Sequence, residues 1–113
     1  MNILFSASVI IPFSGNGYSQ LIEQLDALSR QDTLDKFEII LCLNREAMDS
    51  RTLGLLQKCV YPIPFHVFLA DKVKGPSYAR NIGAANARSE NLLFCDSDDV
   101  VSATWVSSML KSL

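Results

Sequence analysis

Short apolar runs alternate with amphipathic stretches along this chain. Ser8-Val9-Ile10-Ile11-Pro12 is rich in β-branched residues and stops at a breaker, which predicts a first strand. Ser14 to Gly17 reads as a loop. From Tyr18 the apolar positions Leu21, Ile22, Leu25 and Leu28 recur at helical steps, with Asp26 and Arg30 as an i,i+4 pair on the other side. Phe37 to Leu43 is a second strand whose apolar residues run together, so both of its faces should be covered. Met48 to Lys58 forms a weaker helix, interrupted by Gly54. Phe65 to Leu69 is a third strand, opened by Pro62 and Pro64. A helix from Pro76 to Ala87 carries Ala79, Gly83, Ala84 and Ala85, small residues suited to close approach to a sheet. Leu92 to Cys95 is a fourth, short strand. Ser102 is the expected N-cap of a last helix with the apolar stripe Trp105, Val106, Met109, Leu110 and Leu113.

Strands and helices that alternate in this way predict an α/β fold: a mainly parallel sheet of about four strands, helices on both faces and right-handed crossovers. The 113 residues allow one compact core and exclude a tandem architecture. Hydrophobic residues at 49% against charged residues at 19% exclude a disordered chain. Ten basic against twelve acidic residues leave a net charge of −2, which excludes general nucleic-acid binding through a basic face. No apolar run is long enough to span a bilayer. The amino terminus has no basic segment and no A-x-A site, so no signal peptide is expected. Three widely spaced cysteines, Cys42, Cys59 and Cys95, make no C-x-x-C pair and fit a reducing compartment. Cys42 and Cys95 sit in apolar runs and read as small buried hydrophobes.

In open parallel sheets, ligands bind beyond the carboxyl ends of the strands. The chemically distinctive residues fall there: Pro12-Phe13-Ser14-Gly15 after the first strand, and Asn44-Arg45 after the second. Asp71, Lys72, Lys74, Gly75 and Arg80 follow the third strand, and Asp96-Ser97-Asp98-Asp99 the fourth. Asp96 and Asp98, two residues apart on an extended strand end, would point to one side. Hard oxygen ligands of this kind suit Mg²⁺, Mn²⁺ or Ca²⁺, with phosphate oxygens and water completing the shell. Taken alone, the same acids are an ordinary solvated turn before a helix. An EF-hand is excluded, because no glycine stands at the sixth position from Asp96 and Ser107 stands at the twelfth. No P-loop is present. The Asp96-x-Asp98 pattern superficially resembles a haloacid-dehalogenase nucleophile loop, but that loop follows the first strand of its fold, not the fourth. Arg80, near a helix start, could meet a phosphate or a base. Lys72 and Lys74 read as a solvated loop, His66 as a satisfied core or edge histidine, and Trp105 and Met109 as core.

Lys74-Gly75-Pro76-Ser77-Tyr78-Ala79-Arg80-Asn81-Ile82-Gly83, followed after one helix by Leu92 to Asp99, resembles the family 2 glycosyltransferases. The resemblance runs from about Ser8 to Leu113. It implies a GT-A fold, a nucleotide-diphospho-sugar donor, a divalent metal (Mn²⁺ or Mg²⁺) and inverting transfer of a hexosyl group to an acceptor hydroxyl. It gives Asp96 the ribose contact and a share of the metal, Asp98 the metal, and Arg80 a contact on the nucleotide side. Pro12 and Phe13 would frame the base, and Ser14, Gly75 and Ser97 would complete the donor site. The family commonly has P-T-Y-N after its first strand, where this chain has Pro12-Phe13-Ser14-Gly15. It usually has an acidic pair and a glycine after its second, where this chain has Leu43-Asn44-Arg45. Asn44 then takes the base-contacting position, through its amide.

The resembled fold continues past these acids with more sheet, the acceptor site and a catalytic carboxylate. No residue of this chain matches that base, so none is assigned. Residues 1–113 therefore read as the nucleotide-sugar-binding portion of the domain, without its acceptor half. The acceptor implied is a glycan or lipid-linked sugar of polysaccharide biosynthesis. The implied place is the cytoplasm, with a peripheral position at the inner face of the membrane left open. The alternative is a truncated, non-catalytic nucleotide-binding module.

Overall fold

In the computed structural model, residues 5–45 and 47–113 are described; residues 1–4, which bear on the signal-peptide expectation, lie outside them. Four strands and four helices alternate: β1 (Ala7–Phe13), α1 (Tyr18–Ser29), β2 (Phe37–Leu43), α2 (Ser50–Val60), β3 (Phe65–Leu69), α3 (Pro76–Asn86), β4 (Leu92–Phe94) and α4 (Trp105–Lys111). The strands form one sheet in the order β3-β2-β1-β4, and every pairing is parallel. The α/β architecture with a parallel four-stranded sheet agrees with the expectation from the sequence.

The pleat sorts the side chains into two cores. Val9, Ile11 and Phe13 of β1 and Ile39, Leu41 and Leu43 of β2 face one side, with Leu21, Leu25 and Leu28 of α1, Leu56 and Val60 of α2, and Val106 of α4. Ile10, Ile40 and Cys42 face the other, with Ala79 of α3. Both central strands are buried along their whole length, which explains their unbroken apolar runs.

The boundaries differ from expectation where a polar side chain intervenes. The second helix begins at Ser50 and not at Met48, because the Asp49 carboxylate accepts the Thr52 N–H at 2.7 Å and caps it. Ser102 does not cap the last helix. Thr104 stands at the cap position without a side-chain bond, and the Val106 N–H, which has no partner within the helix, is taken by Gln31 Oε1 at 2.8 Å. Leu113 falls outside the apolar stripe and is exposed. No helix among the described residues is long and apolar enough to cross a membrane.

Of the small residues on α3, Ala79 and Gly83 face the sheet, whereas Ala85 is exposed. A Cβ on Gly83 would lie 2.5 Å from Ile10 Cγ2 and 2.9 Å from Cys42 Sγ. The helix can approach β1 and β2 this closely only because that atom is missing. Gly83→Ala is expected to destabilise the fold by about 1–3 kcal/mol through overpacking, despite the better helix propensity of alanine. A urea titration of the two proteins measures the difference.

Candidate functional site

The chain leaves β1 toward β2 on one side and later returns to place β4 on the other. The carboxyl ends of β1 and β4 therefore border a crevice, the switch point at which open parallel sheets bind ligands. A cleft of about 750 Å³ opens there. Pro12, Phe13, Ser14, Asn44, Gly75, Arg80, Asp96, Ser97 and Asp98 all line it. Residues from four separate segments thus meet in one place. Arg45 and Lys74 also line the cleft; Lys72 does not. Asn16 and Gln20 line it as well, although nothing in the sequence pattern distinguishes them as site residues.

Asp96, Asp98 and Asp99 are exposed, and each offers a carboxylate oxygen within 4.8 Å of the others. Asp96 Oδ1 receives Arg80 Nη2 at 2.9 Å, so one of its oxygens is held while the other stays open. Three hard oxygen donors at this spacing fit a divalent cation of the Mg²⁺ or Mn²⁺ type.

Arg80 sits on a helix tethered at both ends. At its start, the Gly75 N–H donates to Asn44 Oδ1 at 2.7 Å, and Gly75 adopts φ +124°, which a side chain would oppose. Just past its end, the Arg88 N–H donates to Glu38 Oε2 at 2.7 Å. Ser8 Oγ donates to the same oxygen at 2.6 Å and accepts the Ser89 N–H at 3.2 Å. Glu38 is fully buried in β2, and these bonds offset much of the cost of placing a carboxylate there. His66, on β3, places Nε2 3.7 Å from Glu38 Oε1, and neither atom makes a hydrogen bond. His66 is thus an edge histidine as expected, but not a satisfied one, and it lies away from the cleft.

Asn44 reaches the cleft wall with its amide already engaged. Its Nδ2 donates to the carbonyls of Ala70 at 2.7 Å and Val73 at 3.0 Å, while Oδ1 accepts from Gly75. Both donor hydrogens are used. The side chain braces the loop between β3 and α3, which leaves its amide the second lone pair of Oδ1 for the expected contact with a base.

Burial pushes the Cys95 thiol up to about 12, with the charges of Asp96 and Asp99 adding to the rise, and raises Cys42 to about 11. Both stay protonated at neutral pH and are poor nucleophiles. Trp105 and Met109 pack partly buried against the larger core.

An α/β sheet that gathers an acid cluster and a basic helix start at its switch point has the arrangement in which open parallel sheets bind ligands. The family described as Glycosyl transferase family 2 matches residues 8–113, and the chain belongs to that family. It is 31% identical over 106 residues to the glycosyltransferase YfnE of Bacillus subtilis (strain 168), covering 94% of this chain and 26% of that protein. It is 30% identical to the glycosyltransferase YwdF of the same strain, covering 92% of this chain and 37% of that one. The chain thus spans only about a quarter to somewhat over a third of these relatives. Among solved structures, S. aureus TarS 1–349 superposes with a TM-score of 0.75 at 26% identity, over 91% of this chain and 30% of TarS. That protein has been solved with UDP and with UDP-GlcNAc. The mannosyltransferase PcManGT from Pyrobaculum calidifontis, solved with GDP-Man and Mn²⁺, shares the fold with a TM-score of 0.67 at 22% identity. It covers 83% of this chain and 28% of that one.

The family's usual acid at the end of the second strand does not suit this chain. Asn44→Asp would turn a carboxylate toward two backbone carbonyls. It is expected to lower stability by about 1–3 kcal/mol, measured by thermal or urea unfolding.

Proposed function

We propose that this chain is the donor-binding portion of a family 2 glycosyltransferase and holds a nucleotide-diphospho-sugar in the cleft between β1 and β4. One observation carries the reading: Lys74, Gly75, Pro76 and Arg80 line a single cleft together with Asp96, Ser97 and Asp98. Pro12, Phe13 and Ser14 border the nucleoside end. With both Asn44 donor hydrogens engaged, its Oδ1 can only accept from a base, and donation to the base falls to neighbouring groups such as the backbone of this rim and Arg45. Ser97 and Gly75 line the path between the two charged sides.

The diphosphate meets Lys74 and Arg80 and the amino-terminal end of α3, where backbone N–H groups and the helix dipole favour an anion. Asp96, with one oxygen held by Arg80, presents the other to a ribose hydroxyl or to a cation. Asp98 and Asp99 would complete the protein's share of the shell. A bound divalent cation supplies neutralisation of charge on the departing diphosphate. In the reaction the bond from the anomeric carbon to the phosphate oxygen breaks, and an acceptor oxygen forms the new bond with inversion. The chain's own residues contribute by positioning the donor and by electrostatics. The acceptor hydroxyl, on a glycan or lipid-linked sugar, and the group that takes its proton lie with the remainder of such a protein. The cellular setting implied is the cytoplasmic side of polysaccharide synthesis.

Calorimetric titration with UDP and with GDP, each in Mn²⁺ and in EDTA, tests this. At least one should bind with a clear gain in Mn²⁺. Asp98→Ala should lose that gain by about tenfold or more, with binding in EDTA little changed. Absence of binding to the wild-type chain, or binding indifferent to Asp98→Ala, contradicts the reading.

A further inference from the structure

Helix α1 presents an apolar stripe to the sheet, but one of its fully buried positions is Gln24, set among Leu21, Leu25 and Leu28. A buried amide costs free energy unless both its ends are bonded. Here they are. Gln24 Nε2 donates to the Asp96 carbonyl at 2.9 Å, and Gln24 Oε1 accepts the Val101 N–H at 3.0 Å. The two bonds grip the loop on either side of Asp98 and Asp99. The Asp96 carbonyl also accepts the Asp99 N–H at 3.3 Å, so Gln24 bonds the oxygen that closes the turn bearing all three carboxylates.

Seven residues on, Gln31 repeats the pattern. Its Nε2 donates to the Ser102 carbonyl at 2.6 Å, and its Oε1 accepts the Val106 N–H at 2.8 Å. The last turns of α1 and the residues just past its end thus run beside residues 96–106 and hold them with two amides that act like the edge of a neighbouring strand. The second holds the start of α4, away from the acids. The first holds the acids themselves.

We propose that Gln24 is a positioning residue for the metal and diphosphate end of the donor site: it fixes the spacing of the Asp96, Asp98 and Asp99 carboxylates through the backbone. This inference rests on the donor-site reading above. A leucine would fill the same core position without an amide to bury, so the amide's contribution lies in the loop it holds. Groups that orient metal ligands typically change metal affinity about 10–100-fold when removed.

The test compares wild type, Gln24→Met, Gln24→Glu and Gln31→Met by calorimetric titration with UDP and with GDP, in Mn²⁺ and in EDTA. Circular dichroism and thermal unfolding are run in parallel. The readout is the gain in nucleotide affinity that Mn²⁺ produces. In Gln24→Met this gain should fall about tenfold or more, while the affinity in EDTA stays within about twofold. Gln24→Glu retains the acceptor for Val101 but turns an oxygen toward the Asp96 carbonyl, so it should lose the gain as well. It decides the matter if the Met variant does not fold. Gln31→Met should lower the unfolding temperature and keep the gain. A wild-type gain that survives in a folded Gln24 variant overturns the role of Gln24 alone. An equal loss in Gln31→Met overturns it too, since general loosening then accounts for the effect. A wild-type chain with no Mn²⁺-dependent gain for either nucleotide overturns the donor-site reading, and this role with it.

Discussion

Strand β1 is hydrogen-bonded on both sides, to β2 along its full length and to β4 over three residues, and every side chain on it is buried. The rest of the structure depends on that pairing. A parallel sheet must cover both faces, which places α1, α2 and α4 on one side and α3 on the other. It also forces the chain to leave β1 in one direction and arrive at β4 from the opposite one. The loops after the two strands then diverge, and the cleft is the space they leave. Its position follows from the strand order and not from any individual side chain.

What the topology leaves loose is fixed by a few buried polar groups. Asn44 and Glu38, both on or next to β2, hold the two ends of α3 and so set the height of Arg80 above the sheet. Gln24 of α1 holds the acid loop, and half-buried Gln31, just past the end of α1, holds the start of α4. Each of these side chains bonds backbone between 26 and 77 residues away in sequence. In a core that is otherwise apolar, such bonds are costly to leave unmade, and they select one arrangement of the loops over its neighbours. The face of the cleft is charged, and the scaffold behind it is held largely by amides.

The elements that rest on periodicity were legible in the residues. The continuous apolar runs of β1 and β2 announced burial on both faces, and the stripe of α1 announced its inner side. The convergence of Arg80 and Asp96 was legible too, because strand ends in a parallel sheet share one edge. The polar tethers were not. Gln24 stood out only as a polar residue on an apolar stripe, and nothing local names the Asp96 carbonyl as its partner. Ser102 looked like a cap because capping is ordinarily local, yet Gln31 reached the helix start from another element. The family's pattern gives Asn44 only a place beside the base. Its chemistry turned out to be decided by carbonyls of the next loop.

The proposed binding of a nucleotide diphosphate in the β1–β4 cleft can be located residue by residue. The most direct measurement is an amide chemical-shift titration of the isotopically labelled chain with UDP and GDP in the presence of Mg²⁺. Shifts are expected to concentrate at residues 13–17, 44–45, 74–80 and 96–99, with the opposite end of the sheet, around Glu38 and Ser89, unmoved. Shifts concentrated at that opposite end, or none at saturating nucleotide, would contradict it.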